Sequence, residues 1–376
     1  MTGADCDQTP HIPSYGSGTL GDLLPSIGAH LGLGGSDVLD LPDVARYVVL
    51  MVDGLGWDLL GTYGRDAGLP GEGEARVAPI DVGAPTTTVT SLASLGTGLT
   101  PGQHGMVGHT FRRDGQPFAP LRPEPGVDGR DVQPGMTWFE RFAKVRTWTS
   151  VVAPAIFAGS LFTGAAQRGA RFVGQADEAD AREIVRLTAL AAASGETSVT
   201  YAYTRVLDQQ GHAEGVASAP WLSALRFVAG LIGQLRAELP RGTALIVTGD
   251  HGMVNVTNTS RIVVEQVPAL QEGVAFVAGE ARFRHVYVQP GRDGDVAGRW
   301  AAHLGDDAWV RTRDEAIAEG WFGAVSPRMA ERIGDVVVAA RGMCGVFTLA
   351  HPRELKLRGM HGSLTRAEMQ VPLMVL

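Results

Sequence analysis

Two short segments of the chain place a carboxylate close to an imidazole. Asp208 and His212 are four residues apart, a spacing that brings both side chains to one side of a helix or turn. Asp250 and His251 are adjacent between two glycines, which allow the backbone to turn so that both side chains face one ion. Such oxygen and nitrogen ligands suit zinc. The alternative for Asp208 and His212 is a pair of surface polar residues.

Two further ligand-type residues stand beside glycines. Asp53 precedes Gly54 directly after an apolar run, and His361 lies in the segment GMHGS. Each also has a structural interpretation, because Asp53 could cap a following helix and a single histidine is often structural. His104 and His109 are expected to support such a site.

Hydroxyl residues are concentrated in the segment PTTTVTS, residues 85–91, which precedes an apolar stretch. This pattern predicts a loop that enters a helix. The free N–H groups and positive dipole end at a helix N-terminus favour an alkoxide and an incoming phosphoryl group. A hydroxyl group at this place suits a nucleophile, although the same residues could simply cap the helix.

Three apolar, strand-like runs must position the acidic residues. They cover residues 46–52, 198–203 and 244–247, and each is followed by one of the three aspartates named above. Residues 221–239 carry an apolar stripe of helical period between them. Alternating strands and helices predict an open α/β sheet, in which ligands bind beyond the carboxyl ends of the strands.

The composition limits the kind of protein. With 44 % hydrophobic and 19 % charged residues among 376, the chain can build a large core. A net charge of -8 and a pI near 5.7 argue against a protein that coats nucleic acid or binds a membrane surface. Cys6 and Cys344 are too few for a disulfide framework. No secretory signal or apolar run long enough to span a membrane is visible, so a cytoplasmic location is expected.

Changes in pattern along the chain predict its domain organisation. Residues 1–20 form a polar tail, residues 21–255 and 343–376 form the α/β core, and residues 256–342 form an inserted α+β subdomain. A long loop rich in proline and glycine, residues 112–136, is expected near the site. Aromatic residues that could build an apolar wall for a substrate are Trp138, Phe139, Phe157 and Phe162.

Taken together, five motifs in order resemble the alkaline phosphatase superfamily and, within it, the nucleotide pyrophosphatase/phosphodiesterase family. They are VDG at 52–54, PTTTVTSLASLGTGLTPGQHG at 85–105, DQQGH at 208–212, TGDHGM at 248–253 and GMHGS at 359–363. The resemblance implies a doubly wound, mixed α/β sheet between helices, with a smaller inserted subdomain. It also implies a metal-dependent hydrolase of small phosphodiesters or nucleotide pyrophosphates.

The resemblance also assigns roles to residues. Thr88 is the nucleophile, contacts both metal ions and forms a phospho-threonine intermediate. One metal is held by Asp208, His212 and His361, and the other by Asp53, Asp250 and His251. Zinc is the usual metal of the family. Ser91 replaces a phosphate-binding residue, and its hydroxyl could donate to a phosphoryl oxygen.

Other functions share much of this pattern. A phosphomonoesterase or a phosphonate hydrolase of the same superfamily would use the same ligands. A binding protein that keeps metal only for stability is a further alternative, but it would have no need of a nucleophile. The sequence predicts no oligomeric state.

Overall fold

The computed structural model describes residues 8–71 and 73–376, in which strands and helices alternate. The strands are β1 (Arg46–Val52), β2 (Arg76–Asp81), β3 (Phe111–Arg113), β4 (Gln116–Phe118), β5 (Trp148–Pro154), β6 (Arg171–Gln175), β7 (Ser198–Thr204), β8 (Thr243–Thr248), β9 (Val254–Asn255), β10 (Arg261–Val263), β11 (Val274–Glu280), β12 (Phe283–Val288), β13 (Ala308–Thr312), β14 (Val336–Ala340), β15 (Gly345–Phe347), β16 (Gly359–Met360) and β17 (Gln370–Val375).

The α-helices of the same residues follow in chain order. They are α1 (Leu23–His30), α2 (Trp57–Ala67), α3 (Thr88–Thr97), α4 (Pro101–His104), α5 (Gly129–Val132), α6 (Trp138–Lys144), α7 (Leu161–Ala166), α8 (Ala181–Ala192), α9 (Val206–Glu214), α10 (Ala219–Glu238), α11 (Pro268–Gln271), α12 (Asp293–Leu304), α13 (Arg313–Ala318), α14 (Pro327–Ala330) and α15 (Arg366–Met369).

A seven-stranded sheet forms the centre of the molecule, in the order β2-β17-β8-β1-β7-β5-β6. The strands from β8 to β6 are parallel, whereas β17 is antiparallel to both of its neighbours, β2 and β8. The three strands predicted from the sequence are β1, β7 and β8, and they are adjacent. The predicted α/β class with a mixed sheet is therefore confirmed.

Both faces of the central sheet are buried. Side chains of β1 point alternately to the two faces, so Tyr47 and Val49 belong to one hydrophobic cluster and Val48 and Leu50 to another. Helix α3 covers the first face. Helix α10 covers the second with its predicted apolar stripe, of which the fully buried members are Leu225, Val228, Leu231, Ile232 and Leu235.

A smaller antiparallel sheet, β11-β12-β14-β13, lies within residues 256–342. One face packs on Trp300 and Leu304 of α12. From the other face, Phe283 and Ala339 join the hydrophobic cluster of the central sheet. The small sheet therefore packs directly against the core that holds the site.

The described part of the N-terminal segment also lies against the core. Thr19 forms a bridge with Asp81 at the end of β2, and the His11 Nε2 atom is 2.8 Å from an Asp81 carboxylate oxygen. Cys6 and the rest of residues 1–7, part of the predicted tail, lie outside the described residues. None of the helices in residues 8–71 and 73–376 combines the length and hydrophobicity needed to cross a membrane.

Candidate active site

Three neighbouring strands deliver carboxylates to the same edge of the central sheet. Asp53 follows β1, Asp250 follows β8, and Asp208 lies in the first turn of α9, just after β7. The atoms Asp53 Oδ1, Asp208 Oδ1 and Asp250 Oδ2 are buried and have no hydrogen-bond partner among the described residues. Burying such oxygens without a partner is costly, so their convergence fits a bound cation.

Three imidazoles surround these carboxylates. In each, Nδ1 lies close to a backbone carbonyl oxygen, at 2.8 Å for His212, 3.0 Å for His251 and 2.7 Å for His361. Because a carbonyl oxygen only accepts hydrogen bonds, Nδ1 carries the proton of each neutral imidazole, and Nε2 of the neutral ring then has a free lone pair. This is the arrangement that orients a histidine for metal binding.

Asp208, His212 and His361 form one possible metal site. The Asp208 Oδ1 atom is 3.3 Å from Nε2 of His212 and 3.9 Å from Nε2 of His361. All three are ligand atoms within 4.8 Å of one another. The structure thus brings together the three residues that the resemblance assigns to one ion.

A second possible site lies around His251. Its Nε2 atom is 3.3 Å from Oδ1 of Asp53 and 3.5 Å from Oδ2 of Asp250. Asp208 also belongs to this group, together with Asp53 and His251. The predicted second set is therefore assembled, and Asp208 lies between the two sites. We call the six residues the ligand cluster: Asp53, Asp208, His212, Asp250, His251 and His361.

Crowding within the ligand cluster changes the proton affinity of its members. Burial and the neighbouring Asp53 carboxylate raise the pKa of Asp250 above its usual range. Burial alone would favour neutral His251, but the carboxylates of Asp250 and Asp53 raise the pKa of His251 to about 10. The cluster therefore attracts positive charge, and a divalent ion can supply it in place of a proton.

Thr88 stands at the point where helix α3 begins. Its Oγ1 atom is 3.4 Å from Nε2 of His251, and its side chain lines the same cavity as Asp53 and Asp208. The predicted loop-to-helix transition is confirmed, since Thr87 has an extended backbone and the helix starts at the next residue. Thr88 thus lies both at a helix N-terminus and beside the ligand cluster.

Ser91 does not face the cavity. It is fully buried, and its hydroxyl donates a hydrogen bond to the backbone carbonyl of Asp250 at 2.6 Å. The hydroxyl is thus used inside the protein, and the phosphate-binding role predicted for Ser91 does not fit this geometry. Ser91 instead contacts the segment that carries two members of the ligand cluster.

The cavity beside Thr88 has a volume of about 800 Å³ and a partly apolar wall. Phe157 and Phe162 contribute to this wall, whereas the other two aromatic candidates, Trp138 and Phe139, do not line it. Phe139 is buried in the core instead. Residues 120–124, from the long loop expected near the site, reach the cavity.

Several residues at the cavity were missed or only partly anticipated from the sequence. The Tyr203 hydroxyl donates a hydrogen bond to Oδ2 of Asp53. Tyr201 and Tyr203 both line the cavity, and their alternation along β7 toward the strand end could have indicated this. The imidazole of His109 also lines the cavity, and its backbone N–H donates to the Glu280 carboxylate at 2.9 Å.

The fold is similar to that of known hydrolases. The murine ectonucleotide pyrophosphatase/phosphodiesterase 5 structure aligns with a TM-score of 0.67 and 17 % identity, covering 88 % of this chain and 87 % of that one. Phosphonoacetate hydrolase from Sinorhizobium meliloti 1021, in complex with phosphonoformate, aligns with a TM-score of 0.68 and 20 % identity, covering 89 % and 90 %. At such identities the likeness shows the fold. No curated protein sequence matches the chain significantly.

The sequence matches a family model over most of its length. The model describes type I phosphodiesterases and nucleotide pyrophosphatases, and it covers residues 47–364. The matched range includes Thr88 and every member of the ligand cluster. The chain therefore belongs to the type I phosphodiesterase/nucleotide pyrophosphatase family of metal-dependent phosphoric ester hydrolases.

Proposed function

We propose that this protein hydrolyses small phosphodiesters or nucleotide pyrophosphates, with Thr88 as the nucleophile and two divalent ions as cofactors. The observation that carries the proposal is the position of the Thr88 hydroxyl, 3.4 Å from His251 Nε2 and open to the cavity. A metal site that served only stability would not require a half-buried hydroxyl at this point.

The ligand cluster would hold the two ions. Asp208, His212 and His361 would bind one, while His251 and Asp53 would bind the other with Asp250. Divalent ions in such sites lower the pKa of a hydroxyl and neutralise the charge on a phosphoryl group. Zinc, the usual metal in this family, accepts the mixed carboxylate and imidazole ligands present here.

The chain's own groups would then position the reaction. The Thr88 Oγ attacks phosphorus while the bond to the leaving oxygen breaks, which gives a phospho-threonine, and water subsequently releases the phosphoryl group. Free backbone N–H groups in the first turn of α3, which begins at Thr88, would favour negative charge on a phosphoryl group bound there. The tyrosine hydroxyl on Asp53 keeps this carboxylate oriented.

The cavity favours a substrate with two substituents on phosphorus. A monoester dianion needs additional positive groups, and no Lys or Arg stands in residues 85–99 around Thr88. Arg205 lines the cavity, but its guanidinium is occupied by a paired hydrogen bond with Glu178, at 2.7 and 2.6 Å. The ring of Phe157 packs against that guanidinium, with 5.1 Å between its centroid and Cζ of Arg205. It offers an apolar surface to a second substituent on phosphorus.

One observation favours a second candidate, hydrolysis of a phosphonate or a monoester. Arg122 lines the cavity, is exposed, and forms no ion pair with a described residue. A free guanidinium could bind an additional anionic group of a substrate. The similar fold of a phosphonoacetate hydrolase is compatible with such a substrate.

A panel of three matched aryl substrates distinguishes these candidates. The protein, saturated with zinc, is assayed with an aryl phosphate monoester, a bis-aryl diester and an aryl phosphonate at the same pH. We expect the highest kcat/KM with the diester. In Phe157→Ala, kcat/KM for the diester should decrease. Faster turnover of the monoester or phosphonate would replace the diesterase assignment with the second candidate.

A further inference from the structure

Thr86 connects the nucleophile segment to the segment that carries His361. Its backbone N–H donates to the carbonyl of Gly362 at 3.0 Å, and its hydroxyl accepts the Gly362 N–H at 2.9 Å. The same hydroxyl donates to the carbonyl of Ser363 at 3.0 Å. The Thr86 carbonyl, in turn, accepts from Nδ1 of His361 at 2.7 Å. Four hydrogen bonds therefore join residues that are more than 270 positions apart.

These contacts fix the direction in which His361 points. The Nδ1 hydrogen bond leaves Nε2 facing Asp208, and the two bonds of the hydroxyl hold the backbone on either side of Gly362. Because Thr88 lies only two residues from Thr86, the same segment sets the position of the nucleophile. We propose that Thr86 is a positioning residue that locks His361 and Thr88 into one arrangement, so that metal binding and nucleophile position depend on each other.

The segment around His361 needs such a constraint. Gly362 has a φ of +137°, a backbone conformation that residues with a side chain rarely adopt. A Cβ atom at this position would also lie 2.8 Å from Cγ of Glu280. Thr86 itself is fully buried. Replacing its hydroxyl by a methyl group would leave the Gly362 N–H and the Ser363 carbonyl without their partner and without access to water.

The chain offers a close control for this substitution. Thr97, at the end of α3, is also buried, and its hydroxyl likewise bridges two backbone groups. It donates to the Ala93 carbonyl at 2.6 Å and accepts the Leu99 N–H at 3.2 Å. Neither group belongs to a segment that carries a member of the ligand cluster. Thr97→Val therefore removes the same kind of hydrogen bonds as Thr86→Val, away from the site.

The first measurement uses metal-free protein and requires no activity. Amide hydrogen exchange of the peptide that contains Gly362 is compared in wild type, Thr86→Val, Thr86→Ser and Thr97→Val. We expect the exchange rate of the Gly362 amide to increase about fivefold or more in Thr86→Val. In Thr86→Ser and Thr97→Val, this rate should stay close to that of wild type. Thr86→Ala replaces the valine variant if the latter does not fold. Unchanged protection of Gly362 in a folded Thr86→Val or Thr86→Ala protein would overturn the proposal.

The second measurement is zinc affinity, which rests on the proposed function. Competition with a chelator should show affinity about 10- to 100-fold weaker in Thr86→Val, with recovery in Thr86→Ser and no change in Thr97→Val. An equal loss in Thr97→Val, or none in Thr86→Val, would contradict the positioning role. If wild type binds no metal, the proposed function fails, whereas the exchange experiment still decides whether Thr86 holds the His361 segment.

Discussion

The hydroxyl group of Thr88 lies where the N-terminus of helix α3 meets the ligand cluster. Its neighbours Thr87 and Thr90 are buried, and Thr90 donates its own hydroxyl to the Met106 carbonyl at 2.9 Å. Of these three threonines, Thr88 is the one whose hydroxyl lies beside His251. Among the several hydroxyl groups of this segment, we therefore propose Thr88 as the nucleophile because of the direction of its side chain.

Replacing Thr88 by alanine should remove nearly all turnover. Loss of a nucleophile removes the covalent route, so we expect kcat to fall roughly 10³-fold or more. Steady-state kinetics with the best substrate of the panel measure this, and metal content shows that the site is otherwise intact. Thr90→Ala serves as the comparison and should retain most activity. Near-normal kcat in Thr88→Ala would move the nucleophile to another hydroxyl.

The residue types could be read from the sequence more reliably than the directions of their side chains. The apolar strands predict where the three aspartates of the ligand cluster lie, whereas the complete set of six is what the family resemblance implies. The phosphate-binding role predicted for Ser91 does not fit the structure, because Ser91 lies about one helical turn beyond Thr88. At that point the segment of Asp250 covers the helix. Whether a hydroxyl meets solvent or a neighbouring carbonyl depends on contacts between residues far apart in sequence, which local patterns do not contain.

At the scale of elements, the two sheets meet beside the active-site cavity. Glu280, the last residue of β11, accepts a hydrogen bond from the backbone N–H of His109, and the Gly279 N–H donates to the carbonyl of Thr110 at 2.9 Å. Burial raises the pKa of Glu280 to about 8. The end of one strand of the small sheet thus holds the segment that presents His109 to the cavity.

Glu280 should make stability depend on pH. The pKa of Glu280 is about 8 in the folded protein against an ordinary value of 4.5 for glutamate, so over that interval the folded state retains the proton while the unfolded state loses it. The free energy of unfolding should therefore decrease as pH rises from about 5 to 8, by at most about 1.4 kcal/mol per pH unit from this group. Glu280→Gln does not titrate and should lack this contribution.

Urea unfolding of the metal-free protein at several pH values between 5 and 8 measures the effect. The difference between wild type and Glu280→Gln isolates Glu280 from the other buried groups that titrate. Parallel curves for the two proteins would show that the proton affinity of Glu280 does not change on folding.

Buried elements with a clear apolar pattern were predicted well, including the short strand expected at 244–247 and observed as Thr243–Thr248, whereas the short elements of the long loop were not. The helix expected at residues 221–239 is observed as Ala219–Glu238, and the strand expected at 46–52 has the same bounds. By contrast, residues 112–136 contain most of the hairpin β3–β4 and helix α5, whose three or four residues are too few to show a period. The packing of the small sheet on the core depends on long-range contacts and left no local signal.

On the scale of the whole molecule, the ligand cluster joins parts of the chain that are far apart in sequence. Asp53 follows β1, and Asp250 and His251 follow β8. Asp208 and His212 lie in α9, and His361 follows β16. Anything that binds this cluster in the folded state, but not in the unfolded chain, stabilises the whole core. At a free concentration 100 times the dissociation constant, the stabilisation is about 2.7 kcal/mol.

Chelation should therefore lower the thermal stability as well as abolish activity. We expect Tm to decrease on treatment with a chelator and to recover when zinc is added, as followed by circular dichroism. His361→Ala should bind less zinc and show a smaller shift. His303→Ala, an exposed position in α12, should behave as wild type. A Tm that does not change with chelator or added zinc, in active protein that contains no transition metal by elemental analysis, would refute a two-ion site.

The placement of β17 also affects the order in which the molecule can form. This strand pairs with β8 on one side and β2 on the other, and it is the last strand of the sheet in sequence. During synthesis on the ribosome, the edge of β8 that pairs with β17 therefore stays unpaired until residue 375 has emerged. Strand β2, which pairs with β17, cannot join the sheet before then. Such an edge is open to pairing with other nascent chains. We infer that the partly synthesised protein is most vulnerable to aggregation in the interval between the synthesis of β8 and that of β17.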